Sequence, residues 1–134
     1  APVLAYLLDT NVISALVRNP QGAVAQKIAD VGEDRVFTSS IVSSEVYFSV
    51  DKNGNDELRG KVNRIMARLY IAAFQPPADS CYAKLRASME RAGRSVTPND
   101  YFIAAHAVSL DAVLVSGDRA FAHVPDLKLE NWLD

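Results

Sequence analysis

Short apolar segments alternate with longer helix-like segments along the chain, and this alternation limits the folds that the chain can adopt. The apolar segments are bounded by polar or turn residues and are short enough for buried strands. A further segment, Leu127–Asn131, has leucines at a spacing of two and is a candidate edge strand. The four clearer strand candidates are Val3–Leu8, Val36–Ser39, Ile71–Phe74 and Ala112–Val115.

The segments between the strands carry helix signals. Thr10 is a candidate N-cap for the first predicted helix, Gly93 follows the fifth predicted helix, and Pro98 precedes the last one. The predicted helices are Asn11–Arg18, Gly22–Ala29, Ile41–Val50, Asp56–Leu69, Ser80–Ala92 and Asn99–Leu110. Strands that alternate with helices predict βαβ units around a mainly parallel sheet. No linker or repeat divides residues 1–134, so we expect one α/β domain whose ligand lies at the carboxyl ends of the strands.

Composition excludes several classes of protein. The chain is 49% hydrophobic and 22% charged, as in an ordinary globular domain, and no run approaches the ~20 apolar residues of a membrane span. The apolar first residues lack a basic lead-in, which favours a core strand over a signal peptide. The single cysteine, Cys81, cannot form an internal disulfide, which favours a reducing, cytoplasmic setting. The net charge of −2 argues mildly against nucleic-acid binding by charge alone, an objection that weakens if carboxylates hold metal.

Two acidic residues directly follow predicted strands. Asp9 follows the most apolar strand, and Asp118 follows the fourth strand after Ser116 and Gly117. Both therefore stand at the edge of the sheet where ligands bind. Taken alone, either aspartate could equally cap the next helix or turn the loop.

Two further acidic residues interrupt apolar helix patterns. Glu45 shares a predicted stripe with Ile41 and Phe48, and a glutamate on such a stripe is costly to bury unless it is paired or bound to metal. Asp100 has Ile103, Ala104 and Ala107 on its own face of the last helix. The alternatives are a helix-edge surface residue for Glu45 and a partner of the helix dipole for Asp100.

If the four acids converge, they form an oxygen-rich site suited to Mg²⁺ or Mn²⁺. Such ions activate water for attack on a phosphodiester. A competing nucleophile is not apparent in the sequence, which has no GxSxG elbow, Walker loop or GxGxxG motif.

The four acids stand in motifs that follow one order and spacing along the chain: Leu8-Asp9-Thr10-Asn11, Glu45, Asn99-Asp100-x-x-Ile103-Ala104-Ala105 and Val115-Ser116-Gly117-Asp118-Arg119-x-Phe121. In these motifs the chain resembles the PIN domain, and in particular VapC-like toxins of bacterial type II toxin–antitoxin pairs. The resemblance covers essentially the whole chain. It departs at Val46–Ser49, where the family commonly has leucine and then glycine, and the fourth acidic position is the family's most variable.

This resemblance implies a three-layer sandwich with a mainly parallel central sheet of four to five strands. It also implies a metal-dependent endoribonuclease, homodimerisation and inhibition by a small antitoxin. The tail Leu129–Trp132 looks like that of VapC-type enzymes that act on initiator tRNA. The residues that match the family's functional positions are Asp9, Glu45, Asp100 and Asp118 as catalytic and metal-holding acids, with Thr10 and Ser116 as site-orienting hydroxyls.

Two other kinds of function remain open from the sequence. One is a non-catalytic PIN-like domain that binds RNA or protein, although none of the four acids is missing. The other is a phosphoryl-transfer fold of similar topology. A phosphoaspartate phosphatase of this kind would need a second aspartate two residues after Asp9, where Asn11 stands, and a receiver domain would need an acid pair after the first strand, where only Asp9 stands.

Several other residues are interpreted as structural or surface residues. His106 is expected to point away from the acids, because it lies about 240° around the helix from Asp100. His123 is expected to be an ordinary loop residue. The arginines, lysine and aromatic residues that were considered for phosphate contact or base stacking are Arg18, Lys52, Arg94, Arg119, Tyr47, Phe48, Tyr101 and Phe102.

Overall fold

In the structure, a computed structural model that describes residues 5–133, five strands form one sheet. The predicted first strand begins at Val3, so its first two residues lie outside the described part. The other strands fall within two residues of their predicted bounds. The strands are β1 Tyr6–Leu8, β2 Val36–Ser39, β3 Tyr70–Ala72, β4 Val113–Val115 and β5 Lys128–Glu130.

Six α-helices connect these strands, as predicted. The first helix begins one residue earlier than expected, because Asp9 rather than Thr10 is its N-cap. The third helix runs three residues beyond its predicted end and stops at Gly54, whose φ of 62° is in the left-handed region that favours glycine. The helices are α1 Thr10–Arg18, α2 Ala23–Val31, α3 Ser40–Asn53, α4 Asp56–Ala67, α5 Ala78–Arg91 and α6 Pro98–Ser109.

The sheet is entirely parallel, and its order is β3-β2-β1-β4-β5. The chain builds outward from β1 to β3 on one side and then returns to add β4 and β5 on the other. The strand order therefore reverses at β1, and the crevice beyond its carboxyl end is where this type of sheet binds ligands. The predicted edge position of β5 is confirmed.

Helices cover both faces of the sheet's centre. Leu7 and Leu8 are consecutive residues of β1 and therefore point to opposite faces, yet both are fully buried. The three residues of β4 are also buried. This burial confirms a three-layer α/β sandwich and fixes the carboxyl ends of β1 and β4 next to each other.

The apolar residues of the helical segment from residue 41 to 69 are mostly covered within the chain. Val46, Val50 and Val62 are buried, and Leu58 and Ile65 pack partly against the core. Phe48 is the exception in this segment, since its side chain is exposed. The other exposed large apolar side chains of residues 5–133 are Tyr70, Ile71 and Leu110. Within residues 5–133, no helix is long and apolar enough to cross a membrane.

Candidate active site

Asp9 stands at the carboxyl end of β1 and is almost completely buried. One carboxylate oxygen caps α1 by accepting from the Thr10 N–H at 2.8 Å, and the other accepts from the Ser116 hydroxyl at 2.7 Å. Burial raises the pKa of Asp9 above its ordinary value; the two hydrogen bonds oppose this rise, and the charges of Glu45 and Asp118 add to it. Asp9 is therefore both a helix cap and a strained, buried acid.

Glu45 lies at the boundary between the buried and exposed faces of α3. The expectation that it shares a buried stripe with Phe48 is wrong, because the buried residues of α3 are Val42, Val46 and Val50 and Phe48 faces solvent. The Glu45 carboxylate accepts from the Thr10 hydroxyl at 2.7 Å and from the Asn99 amide at 3.0 Å. These two bonds aim it across α1 towards the first turn of α6.

Asp100 occupies the first turn of α6, two residues after Pro98 at the helix start. The Thr97 hydroxyl caps this helix by accepting from the Asp100 N–H at 3.3 Å. Burial raises the pKa of the Asp100 carboxyl, the Thr97 hydroxyl opposes the rise, and Asp118, Asp9 and Glu45 add to it by repulsion. As predicted, the residues on the same face, Ile103, Ala104 and Ala107, are buried.

Asp118 caps a short 3₁₀ helix, Arg119–His123, by accepting from the Ala120 N–H at 2.9 Å. Its own N–H donates to the Ser116 hydroxyl at 3.0 Å, so Ser116 links Asp118 to Asp9. Gly117 lies close to the Leu133 side chain, since a Cβ at this position would stand 2.4 Å from the Leu133 Cδ1 and that side chain would have to shift. The loop after β4 is thus held close to the tail of the chain.

The structure brings these acids together at the carboxyl edge of the sheet. Asp9, Glu45 and Asp100 line one open cleft of about 410 Å³. Asp118 is not among the residues that line it, but its charge acts on both Asp9 and Asp100. The rest of the lining is polar and consists of Thr10, Asn11, Ser14 and Arg18.

The side chains as they stand do not form a closed metal cage. Among the described residues, no group of three His, Cys, Asp or Glu side chains is close enough to hold one ion. This spacing fits Mg²⁺, which usually keeps several waters and takes only one or two carboxylates directly. The all-oxygen donor set also suits Mg²⁺ or Mn²⁺. Burial raises the pKa of Asp9 and of Asp100, and repulsion from the neighbouring acids adds to both rises, so a bound cation would stabilise their ionised forms.

Two residues at the cleft were not assigned to the site from the sequence. Asn99 belongs to the motif with Asp100, but its contact with Glu45 depends on the approach of α3 to α6. Arg18 was considered for phosphate contact but was interpreted as a solvated surface charge, and it lines the cleft from the last turn of α1. The sequence signal that could have placed Arg18 at the cleft is its position about two helical turns after Thr10 on the same predicted helix.

The two histidines are structural or peripheral, as expected. His106 is buried, shares a 2.8 Å hydrogen bond with the Ser39 hydroxyl and donates to the Ala73 carbonyl. Burial lowers the pKa of His106, and its bond to Ala73 opposes this. His123 is exposed and contacts the Arg94 guanidinium.

Comparisons with known proteins agree with this geometry. The PIN-domain family profile matches residues 6–127. The chain belongs to the PIN-domain family. Among PIN-domain relatives, Ribonuclease VapC2 of Rickettsia felis is 32% identical over 95% of this chain and 97% of its own length. The tRNA(fMet)-specific endonuclease VapC of Shigella flexneri is 26% identical over 97% of this chain and 99% of its own.

A solved PIN-domain structure shows the same fold. It is the complex VapBC2 of Rickettsia felis, bound to a DNA fragment from its promoter. The TM-score is 0.88 at 28% identity, and the match covers 96% of this chain and 99% of the other. The resemblance seen in the sequence motifs is therefore confirmed by the family, by full-length relatives and by the fold.

Proposed function

We propose that this PIN-domain protein is a Mg²⁺- or Mn²⁺-dependent endoribonuclease and the toxin of a toxin–antitoxin pair. The observation that carries the proposal is the convergence of Asp9, Glu45 and Asp100 on one cleft, beside Asp118. The relatives support it, since those of similar length are named ribonucleases or endonucleases.

In this proposal Asp9, Glu45 and Asp100 hold the ion directly or through water, and Asp118 completes or tunes the site. A bound divalent ion supplies an activated water and neutralises charge on the phosphodiester. The protein contributes orientation: the Ser116 hydroxyl fixes Asp9, and the Thr10 hydroxyl fixes Glu45. Such supporting hydrogen bonds commonly change metal affinity or activity by about 10- to 100-fold.

Transfer RNA is the first substrate to test. The tail Leu129–Trp132 resembles that of VapC-type enzymes that act on initiator tRNA, and the Shigella flexneri relative is named for that substrate. In the structure this tail is ordered by contacts of its own: the Trp132 indole donates to the Glu130 carboxylate at 2.9 Å and its ring packs on Tyr6. Because the tail is structural in this chain, it does not by itself select an RNA.

We further propose a small antitoxin as partner and a homodimer as the working assembly. Similar solved structures are those of VapBC2 from Rickettsia felis and VapBC from Salmonella typhimurium, both bound to DNA, which supports a protein partner. An arginine or lysine from the antitoxin would satisfy the acids by replacing the ion as counter-charge. The dimer rests on the family resemblance, and a monomer mass in light scattering at micromolar concentration would contradict it.

The decisive experiment measures RNA cleavage by the purified protein with Mn²⁺, with Mg²⁺ and with excess EDTA. We expect cleavage of transfer RNA in the presence of either ion and none in EDTA. Asp100→Asn should remove the activity, whereas Asp79→Asn, an exposed acid at the start of α5, should not. RNA binding without cleavage under all conditions would favour the non-catalytic module instead.

A further inference from the structure

An exposed aromatic ring lies one helical turn from Glu45, which lines the acidic cleft. Phe48 is 68% exposed and follows Glu45 by three residues on α3. The rise of an α-helix places it about 4.5 Å further along the axis and about 60° around it. A single exposed apolar residue is common on proteins, so its meaning depends on its neighbours.

The rotation of α3 keeps Phe48 on the solvent side. Val42, Val46 and Val50 form the buried stripe of this helix, and they fix which face is turned inward. Around the helix axis, Glu45 lies between this stripe and Phe48, so Phe48 faces away from the core. Its ring could enter the core only if α3 rotated and moved the three valines out. The packing of α3 therefore presents the ring to solvent one turn beyond a residue of the cleft.

One cation lies near this ring on α3, and another lines the cleft. Lys52 is exposed one turn beyond Phe48 on the same face of α3, and Arg18 lines the cleft from α1. Neither belongs to an ion pair in residues 5–133. Along α3 the order is therefore carboxylate, aromatic ring and cation, with a second cation across the cleft.

The other aromatic residues near the cleft do not offer a free face. Tyr101 is buried, and Phe102 stacks on Tyr82 with ring centroids 4.4 Å apart. Tyr47 is partly buried against the core. Tyr70 is 73% exposed, but it begins β3 and so lies at the opposite end of the strands from the acids.

Building on the proposed nuclease function, we infer that Phe48 stacks on an unpaired base of the RNA next to the scissile phosphodiester. Lys52 and Arg18 contact the neighbouring phosphates. An aromatic ring with cations beside it is the usual means of holding single-stranded nucleic acid, and it tolerates any base because every base has a π face. Phe48 is thus a positioning residue that selects unpaired nucleotides, such as those of a loop, over duplex RNA.

The test uses a fluorescein-labelled single-stranded RNA of twelve nucleotides and the full chain. Affinity is measured by anisotropy in EDTA, and KM and kcat are measured with Mn²⁺. Phe48→Ala should weaken binding and raise KM by about 10- to 100-fold, with kcat changed much less. Phe48→Trp should restore both values, whereas Phe48→Leu, which is apolar but has no π face, should not. Tyr70→Ala is the matched control for an exposed aromatic and should behave like the wild type.

Three results would overturn the inference. Phe48→Ala with unchanged affinity and KM would show that the ring does not touch RNA, while wild-type cleavage in the same assay would leave the proposed function intact. A loss of affinity accompanied by a lower mass in light scattering would show instead that Phe48 joins two copies of the chain. Absence of both binding and cleavage in the wild type would reject the nuclease function together with the stacking role.

Discussion

At the carboxyl edge of the sheet, a serine hydroxyl binds a buried titratable side chain at two places, one in each half of the edge, on either side of β1. On one side Ser116, after β4, donates to buried Asp9 at 2.7 Å. On the other side Ser39, the last residue of β2, shares a 2.8 Å hydrogen bond with buried His106. In both halves a serine hydroxyl at a strand end holds a buried titratable side chain.

The surroundings make the two halves different. Asp9 faces the charges of Glu45 and Asp118, so burial and repulsion together oppose its ionised form. His106 packs edge-on against Phe74 with ring centroids 5.4 Å apart and is satisfied as a neutral ring by Ser39 and Ala73. The half with Asp9 therefore holds carboxylates whose repulsion a bound cation would relieve. The half with His106 is part of the core, and its polar groups are already hydrogen-bonded.

The sharpest test of this difference is Asp9→Asn. Removing this charge should lower RNA cleavage by more than about 100-fold, because loss of a supporting contact alone can cost that much at a metal site. The free energy of unfolding without metal should hold or rise, since one source of repulsion is gone. Chemical denaturation and a cleavage assay check both points. Asp30→Asn, at an exposed position of α2, is the control, and a large loss of stability in Asp9→Asn would make Asp9 a mainly structural residue.

The second test removes the other buried group. His106→Ala should lower the free energy of unfolding by about 2–4 kcal/mol, because it leaves a cavity and strips Ser39 and Ala73 of a partner. Thermal or urea denaturation measures the loss. The folded fraction should retain its specific activity well below the melting temperature. Lost activity at full stability would place His106 in the site.

The third test adds the ion. Mg²⁺ or Mn²⁺ at ten times its dissociation constant should raise the free energy of unfolding of the wild type by about 1.4 kcal/mol. Asp9→Asn and Asp100→Asn should gain much less. A His106 variant should gain as much as the wild type, because its half of the edge binds no cation. Equal gains in all proteins would indicate non-specific ion effects.

The smallest expected effect is the response to acid in the absence of metal. The pKa of His106 is lowered, so its contribution to stability is complete above the ordinary value of 6.5 and is lost as the pH falls below it. The pKa of Asp9 is raised, so the protonated form is favoured in the folded state, and stability is lost as the pH rises from the ordinary 3.8 through the raised value.

Denaturation between pH 4 and pH 7 would separate these two signs. The advantage of the wild type over His106→Asn should shrink as the pH falls, and the advantage of Asp9→Asn over the wild type should grow as it rises. If the free energy of unfolding changed with pH in the same way in all three proteins, the proposed electrostatic difference between the two halves would be wrong.

The sequence predicted the strand ends well because they follow from local patterns. An apolar run that stops at Asp9 or before Ser116 marks the edge of a parallel sheet without any knowledge of distant contacts. The face of α3 was harder to predict, since apolar residues lie on both sides of Glu45 and periodicity does not say which side is buried. The Ser39–His106 pair spans 67 residues and depends on how α6 packs on β2, so no local pattern reveals it.

The acidic cleft is also assembled from distant parts of the chain. Its central hydrogen bond, from Ser116 to Asp9, joins residues 107 positions apart. During synthesis on the ribosome, the first carboxylate emerges long before the last is made, and a domain of this kind folds as a unit. A nascent chain that has not reached Asp118 lacks one of the four carboxylates and the Ser116–Asp9 hydrogen bond. On the proposed function, cleavage therefore begins only after residue 118 has been made and the domain has folded.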